Sequence, residues 1–286
     1  MTTPNQNINE DQHDLLKQVT PPFKESKEDI WAKMQQDIEV APTQEAKVVR
    51  LFSGIKYAVA AAVALAVTTT LFCRLYTSSI ITSPGQQLSY ALPDGSIVNL
   101  NAASSLSYHP YWWRVSRELQ FEGEAFFEVE KGSNFAVNSK QGITEVLGTS
   151  FNINTRHEGY TVICKTGKVR VSSTQSDAKV MITPNMMADL AVNQQLIVKK
   201  DIDLENYLGW REDKFIFTSI ALDKVFQEIE IQYGVKIKNN VSNAGEMKYT
   251  GNFPKSKSVE TALNFICQSF GISFVLQSDN TYVIDQ

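Results

Sequence analysis

Cysteine and histidine are scarce, with three of each among 286 residues. Three cysteines cannot all pair, so no framework of disulfides is available to the chain. Cys73 sits at the edge of an apolar run, whereas Cys164 and Cys267 lie in apolar-patterned segments. Two buried thiols fit those segments better than a long-range disulfide, because a small cysteine among apolar residues behaves as a hydrophobe. His109 and His157 have no metal-ligand spacing, and no cluster of His, Cys or acidic residues has zinc character. No metal and no cofactor are therefore expected. Basic excess is lacking too: 27 Lys and Arg stand against 31 Asp and Glu, a formal net charge of −4. That balance, without a basic stripe, argues against nonspecific nucleic-acid binding. There is no G-x-S-x-G, no phosphate-binding loop and no dinucleotide fingerprint. The chain is not expected to be an enzyme.

Charge is also missing from one continuous stretch, Tyr57 to Cys73, bounded by Lys56 and Arg74. As a helix this run reaches roughly 25 Å, slightly short of the ~30 Å hydrocarbon core of a bilayer. Lys56 and Arg74 can snorkel, so Leu51, Phe52 and Ile55 at one end and Leu75 and Tyr76 at the other lengthen it. Tyr57 and Tyr76 stand where interfacial aromatics belong. Alanine and threonine make the run only moderately apolar, and a buried helix of a soluble domain is the competing reading. A cleaved secretory signal would begin nearer the N-terminus. A lipoprotein signal would carry a small residue where Phe72 precedes Cys73. Residues 51–76 are read as an uncleaved transmembrane helix. Lys47, Arg50 and Lys56 lie on the N-terminal side of the uncharged run, Arg74 alone closes it, and the next basic residue is Arg114. The positive-inside rule then predicts a cytoplasmic N-terminus and a C-terminal part on the far side.

Residues 1–50 form the short arm. Its first 26 residues are polar, so disorder is expected there when the arm is alone. From Lys27 the pattern predicts a helix, with Ser26 as its cap and Glu28 and Asp29 in the first turn, where the helix dipole favours acids. Ile30, Met34 and Ile38 recur at i, i+4 and i+8 with Trp31 beside them, a single apolar stripe. Pro42 follows its end. Nothing else in the arm could bury this stripe, and an isolated short helix is marginal in water, so a partner is expected to cover it. The inner membrane surface is the alternative cover. Leu15 and Leu16 offer a second anchor upstream.

Residues 77–200 change to strand alternation with frequent turns. Leu92-Pro93-Asp94-Gly95-Ser96 reads as a turn leading into a strand through Leu100. From Arg117 to Val129 an alternating strand is predicted, with Leu119, Phe121, Gly123, Ala125, Phe127 and Val129 on one face and Gln120, Glu122, Glu124 and Glu128 on the other. Those three glutamates invite a paired-carboxylate catalyst of the glycosidase kind, but the polar face of an amphipathic strand gives the same pattern without chemistry. Gly148 marks a bend or a close backbone approach. Lys165-Thr166-Gly167-Lys168 suggests a hairpin turn before Val169-Arg170-Val171. The spacing predicts an antiparallel roll or sandwich, or a solenoid-like all-β domain.

Residues 201–286 contain a repeat with an offset of 37. Leu222, Val225, Phe226 and Ile229 line up with Val259, Ala262, Leu263 and Ile266, and Tyr233-Gly234 with Phe270-Gly271. Each half reads as strand, amphipathic helix, glycine turn and strand, which predicts a small α+β domain of four strands with two helices on one face. Ser258 is the expected N-cap of the second helix.

Three stretches carry a family likeness: Leu92-Pro93-Asp94-Gly95-Ser96 with Leu100-Asn101-Ala102, then Gly123-Glu124-Ala125-Phe126-Phe127-Glu128-Val129, then Val146-Leu147-Gly148-Thr149-Ser150-Phe151-Asn152. In this order they resemble the FecR family of anti-sigma factors, and Trp31 with its helix resembles the end of that family's cytoplasmic part. Asn134 stands where the family usually has Pro, and Pro184-Asn185-Met186 replaces a customary Pro-Gly-Gln. The C-terminal repeat resembles the small domain that follows the FecR region in the longer regulators, itself similar to the short N-terminal domain of secretins and TonB-dependent transducers. The resemblance implies a single-pass inner-membrane anti-sigma factor with its C-terminus in the periplasm. Its implied partners are an extracytoplasmic-function sigma factor, held through Ile30, Trp31, Met34 and Ile38, and the signalling domain of a TonB-dependent outer-membrane transducer. The competing classes are a membrane-anchored periplasmic glycan-binding module and an envelope-assembly module.

Overall fold

The computed structural model describes residues 24–39, 52–277 and 279–285. The polar stretch before Lys24, with Leu15 and Leu16, lies outside the described residues, as do Pro42, Lys47, Arg50 and Leu51.

Helix α1 spans Lys27–Glu39. The Ser26 hydroxyl accepts the Asp29 N–H at 3.2 Å, while the Asp29 carboxylate accepts the Ser26 N–H at 3.3 Å. This reciprocal cap satisfies N–H groups that the first turn leaves without helical partners. Helix α2 spans Phe52–Leu75, and its segment Ile55–Leu75 is long and apolar enough to cross a membrane. None of that apolar window is buried, so α2 is not a core helix of a folded domain. The Thr68 and Thr70 hydroxyls donate to the carbonyls of Ala64 and Ala66 at 2.9 and 2.8 Å. Polar groups are thus satisfied within the helix, as a water-free surrounding requires.

Fourteen strands follow. They are β1 (Ser78–Thr82), β2 (Leu88–Ala91), β3 (Ile97–Leu100), β4 (Ser104–Tyr108), β5 (Arg117–Glu122), β6 (Glu124–Glu128) and β7 (Phe135–Asn138), then β8 (Gly142–Val146), β9 (Ser150–Asn154), β10 (Thr161–Thr166), β11 (Val169–Ser173), β12 (Lys179–Ile182), β13 (Met186–Leu190) and β14 (Leu196–Lys199). They form two sheets of seven, in the orders β1-β4-β5-β7-β8-β11-β12 and β14-β13-β10-β9-β6-β3-β2. The chain visits the sheets alternately, mostly two strands at a time, so both grow together into a rolled sandwich. Pairing is antiparallel except between β5 and β7, which are parallel because β6 crosses to the other sheet between them. Phe121, Phe127 and Phe151 pack in the core, with Phe121–Phe127 edge-on at 5.5 Å and Phe127–Phe151 stacked at 5.1 Å.

Two local expectations are corrected. The run from Arg117 to Val129 is two strands, β5 and β6, in different sheets. Gly123 makes the crossing at φ +108°, where a Cβ would lie 2.6 Å from the Ser104 Cα, so only glycine fits. Leu119, Phe121, Ala125 and Phe127 still face one core because that core lies between the sheets. Residues 165–168 are likewise not a hairpin, since β10 and β11 belong to different sheets. A register break between Cys164 and Thr166, with Gly167 at φ +79°, carries the chain across. Gly148 behaves as expected: its backbone approaches Lys131 so closely that a Cβ would sit 2.8 Å from the Lys131 Cα.

Beyond a short helix α3 (Glu205–Leu208) come β15 (Lys214–Ala221), α4 (Leu222–Tyr233), β16 (Lys236–Asn239), β17 (Lys248–Pro254), α5 (Val259–Gln268), β18 (Ser273–Leu276) and β19 (Thr281–Asp285). The strand–helix–strand repeat is present, and Gly234 ends α4 at φ +69° with its N–H on the Glu230 carbonyl at 2.8 Å. The expected count of four strands falls short by one. β19 inserts between β16, which it pairs in parallel, and β18, which it pairs antiparallel, while β15 and β17 form a separate pair. Ser258 occupies the N-cap position of α5, but its hydroxyl bonds the Glu260 carboxylate rather than a helix N–H. Cys164 and Cys267 are free and buried, and burial pushes each thiol up to about 11.

Candidate functional site

Two features of the chain can do more than hold the fold. The first is the apolar stripe of α1. A helical repeat of about 3.6 residues puts positions 30, 34 and 38 on one side, with position 31 adjoining. Ile30, Trp31, Met34 and Ile38 are 37%, 64%, 51% and 72% exposed. The helix holds together through its cap and its acidic first turn, and its large apolar side chains are left for something other than its own packing.

The second feature is a buried charge cluster where α4 meets the sandwich. Glu124 begins β6 immediately after the Gly123 crossing, which turns its side chain away from the core and toward the C-terminal segment. Its Oε2 accepts from Asn101 Nδ2 at 2.8 Å and from Arg156 Nη1 at 3.1 Å, and its Oε1 accepts from Asn152 Nδ2 at 3.2 Å. Arg156, in a short turn after β9, also donates from Nη1 to Glu228 on α4 at 2.8 Å, and from Nη2 to the Ala102 carbonyl at 2.6 Å. One guanidinium therefore bridges a carboxylate of the sandwich and a carboxylate of the C-terminal helix. Gln232, one turn further along α4, donates to both Asn101 and Glu228 at 3.0 and 2.9 Å, and accepts from Lys255 Nζ at 3.0 Å. The Gly85 N–H on the Ile231 carbonyl at 3.0 Å adds a backbone tie.

Burial dominates the electrostatics here. The Arg156 and Glu124 side chains are 6% and 9% exposed, and Glu228 is 24%. Burial raises the Glu124 carboxyl above the ordinary carboxylate value, and the neighbouring Glu228 charge adds to this, while Arg156 and the two amides oppose it. Burial lowers Lys255 below its ordinary value. The Arg156 Nε and the Asn152 Oδ1 have no hydrogen-bond partner. A few residues away, Arg211 lies 3.7 Å from the Phe126 ring centroid and 3.3 Å from Glu128, covering the outer face of β6.

This geometry removes the basis for a paired-carboxylate catalyst. Glu122 ends a strand of one sheet, whereas Glu124 and Glu128 belong to the other. Glu124 is sealed beneath α4, and Glu128 lies exposed beside Asn99 and Arg211. Among the described residues no group of three or more His, Cys, Asp or Glu is placed to hold a metal.

Residues 78–170 match the family described as FecR protein, and residues 214–284 match the family described as FecR, C-terminal. Together these segments exceed half of the chain. The chain belongs to the FecR family. Two crystal structures of a proposed anti-sigma factor from Parabacteroides distasonis, at 2.50 and 1.65 Å, are similar to this FecR protein. They share 28% and 27% identity with it at TM-scores of 0.65 and 0.66, covering 73% of this chain and 98% and 99% of theirs. No curated protein matches the sequence. As a FecR protein the chain is a regulator in signalling and not an enzyme, and its apolar α2 fits a single-pass membrane protein.

The junction cluster joins the two matched regions, with Glu124 and Arg156 in the first and Glu228, Gln232 and Lys255 in the second. Sequence reasoning places Glu124 on a polar strand face without chemistry; the structure buries that position instead of leaving it solvated, and it adds Arg156, Glu228 and Gln232, which the sequence reading does not single out. The available signals were an isolated Arg in a turn, and a Glu and a Gln four apart on α4, outside its run of apolar positions.

Proposed function

We propose that this FecR protein is a single-pass anti-sigma factor whose arm, residues 1–50, binds an extracytoplasmic-function sigma factor in the cytoplasm through Ile30, Trp31, Met34 and Ile38. The observation that carries the reading is the exposed stripe on a capped helix in a family of anti-sigma regulators. A groove on a partner that accepts an amphipathic helix would desolvate Trp31 and Met34, the residue types that dominate such contacts. The excess of basic residues before α2 supports a cytoplasmic arm and a periplasmic C-terminal part.

On the periplasmic side the proposed partner is the signalling domain of a TonB-dependent outer-membrane transducer. It is a small domain of the same general kind as residues 201–286, and an edge strand such as β18 could pair with it. Val275 and Leu276 on that edge are more than half exposed. Transducer binding then shifts the protein between states with different affinity for the sigma factor, since a contact that favoured both states equally would change nothing.

The test is co-elution of the full detergent-solubilised chain with the sigma factor encoded nearest its gene, followed by in vitro transcription with that sigma. Wild-type protein is expected to bind and to suppress transcripts. Trp31→Asp is expected to weaken binding by about 30-fold, the loss of a ~2 kcal/mol hot spot. Undiminished binding by a Trp31→Asp, Met34→Asp chain would overturn the assignment of the stripe.

A further inference from the structure

Only Tyr76 and Thr77 separate the end of α2 from the start of β1. At no more than about 3.6 Å per residue, such a connection holds the sandwich within roughly 10 Å of the helix end. The structure fills that gap with aromatic side chains from the β4–β5 connection. The Tyr111 ring lies 6.0 Å from Phe72 and 5.3 Å from Tyr76, and the Arg74 guanidinium sits 5.8 Å from the Trp112 ring centroid. His109 Nδ1 is 3.1 Å from the Tyr76 carbonyl and 3.3 Å from the Thr77 hydroxyl. Trp113 roots the connection in the core, edge-on to Tyr108 at 5.2 Å and to Phe135 at 5.7 Å. Tyr111 and Val115 are nevertheless 60% and 70% exposed.

Large apolar side chains on a rigid turn, held beside the last turn of an apolar helix, have one chemically consistent surrounding. The end of a span sits at the headgroup level, where tyrosine, tryptophan and arginine are favoured because each joins an apolar body to a polar tip. Tyr76 and Arg74 are at that level by their place on the helix, so Tyr111 and Trp112, in contact with them, are at it as well. We propose that Tyr111, Trp112 and Val115 form a foot that inserts into the headgroup–acyl boundary of the bilayer crossed by α2, fixing the sandwich against the membrane surface instead of letting it swing on a tether. Arg114 is exposed in the same turn, and at headgroup level a basic side chain is favoured by the lipid phosphates. This rests on reading α2 as a membrane span.

The test uses the full chain carrying Cys73→Ser, reconstituted in phosphatidylethanolamine–phosphatidylglycerol vesicles, with single reporter cysteines bearing an environment-sensitive fluorophore. Cys164 and Cys267 stay unlabelled in the folded protein because they are buried. Val115→Cys is the probe and Leu65→Cys reports the span itself. Met181→Cys on β12, at the opposite edge of the sheet from β1 and six strand spacings of about 4.8 Å along it, is the water control. The label at position 115 is expected to be blue-shifted by the bilayer and quenched by shallow doxyl-labelled lipid, that at 65 to be quenched by deep doxyl lipid, and that at 181 to show neither change. A label at 115 that behaves as at 181 while 65 is quenched would overturn the foot and leave the span intact. An unquenched label at 65 would overturn both. Tyr111→Cys repeats the measurement at a second position in the foot, with the same outcomes expected.

Discussion

Removing the Arg156 guanidinium tests whether the buried cluster holds the two parts of the FecR protein together. In Arg156→Met the side-chain stem is kept while the bridge to Glu124 at 3.1 Å and to Glu228 at 2.8 Å is lost, along with the bond to the Ala102 carbonyl. Breaking a buried pair by deleting one partner costs about 3–5 kcal/mol, because a charge is left in low dielectric. The low end applies here: Glu228 is partly exposed and can turn to water, and Glu124 keeps its two amide donors. At about 2–4 °C per kcal/mol for a unit of this size, a loss of roughly 3 kcal/mol lowers Tm by about 6–12 °C. Thermal denaturation of the full chain in detergent, followed by circular dichroism, measures the shift. Adding Glu124→Gln and Glu228→Gln to Arg156→Met should recover more than half of it, since no charge then remains stranded. A shift under about 2 °C, or a triple variant no better than Arg156→Met alone, would refute the account.

Two further outcomes are expected. Glu124 titrates above the unfolded value of 4.5, so its stabilising contribution is complete below that value and is lost as pH rises through the folded one. The charges facing it are Arg156 and Glu228, with Lys255 beyond them. His157, which burial lowers, acts with the opposite sign near the same window. In a His157→Asn background, Tm should therefore rise on acidification from pH 7 toward pH 5, and Glu124→Gln should flatten that rise; an unchanged slope would exclude Glu124 as its source. Gly123→Ala, at φ +108° with a Cβ 2.6 Å from the Ser104 backbone, should destabilise by about 2–4 kcal/mol, and a Tm within about 2 °C of wild type would show that the crossing can relax.

Much of the architecture was legible because it rests on local patterns. The run bounded by Lys56 and Arg74 reads as a span on hydropathy alone, and α2 extends it to Ile55–Leu75. Ser26 and Asp29 announce the start of α1, and the repeat with an offset of 37 announces two helices each ended by a glycine. The stripe of Ile30, Trp31, Met34 and Ile38 is visible for the same reason: helical period places residues on a face without reference to the rest of the chain.

What the sequence by itself determined is where strands and helices form and which of their faces are apolar, because alternation and capping act within a few residues. Only the tertiary structure decided which sheet each strand joins. Alternation with a period of two is identical for a strand that continues and for one that crosses at Gly123 or Gly167 to the opposite sheet, since both sheets face one core. The tertiary structure also decided the fate of Glu124. A glutamate on the outer face of β6 reads as solvated until α4, far along the chain, brings Glu228 and Gln232 over it and leaves Arg156 to neutralise the pair. Burial depends on what packs above a face, and nothing within a strand's own residues records that.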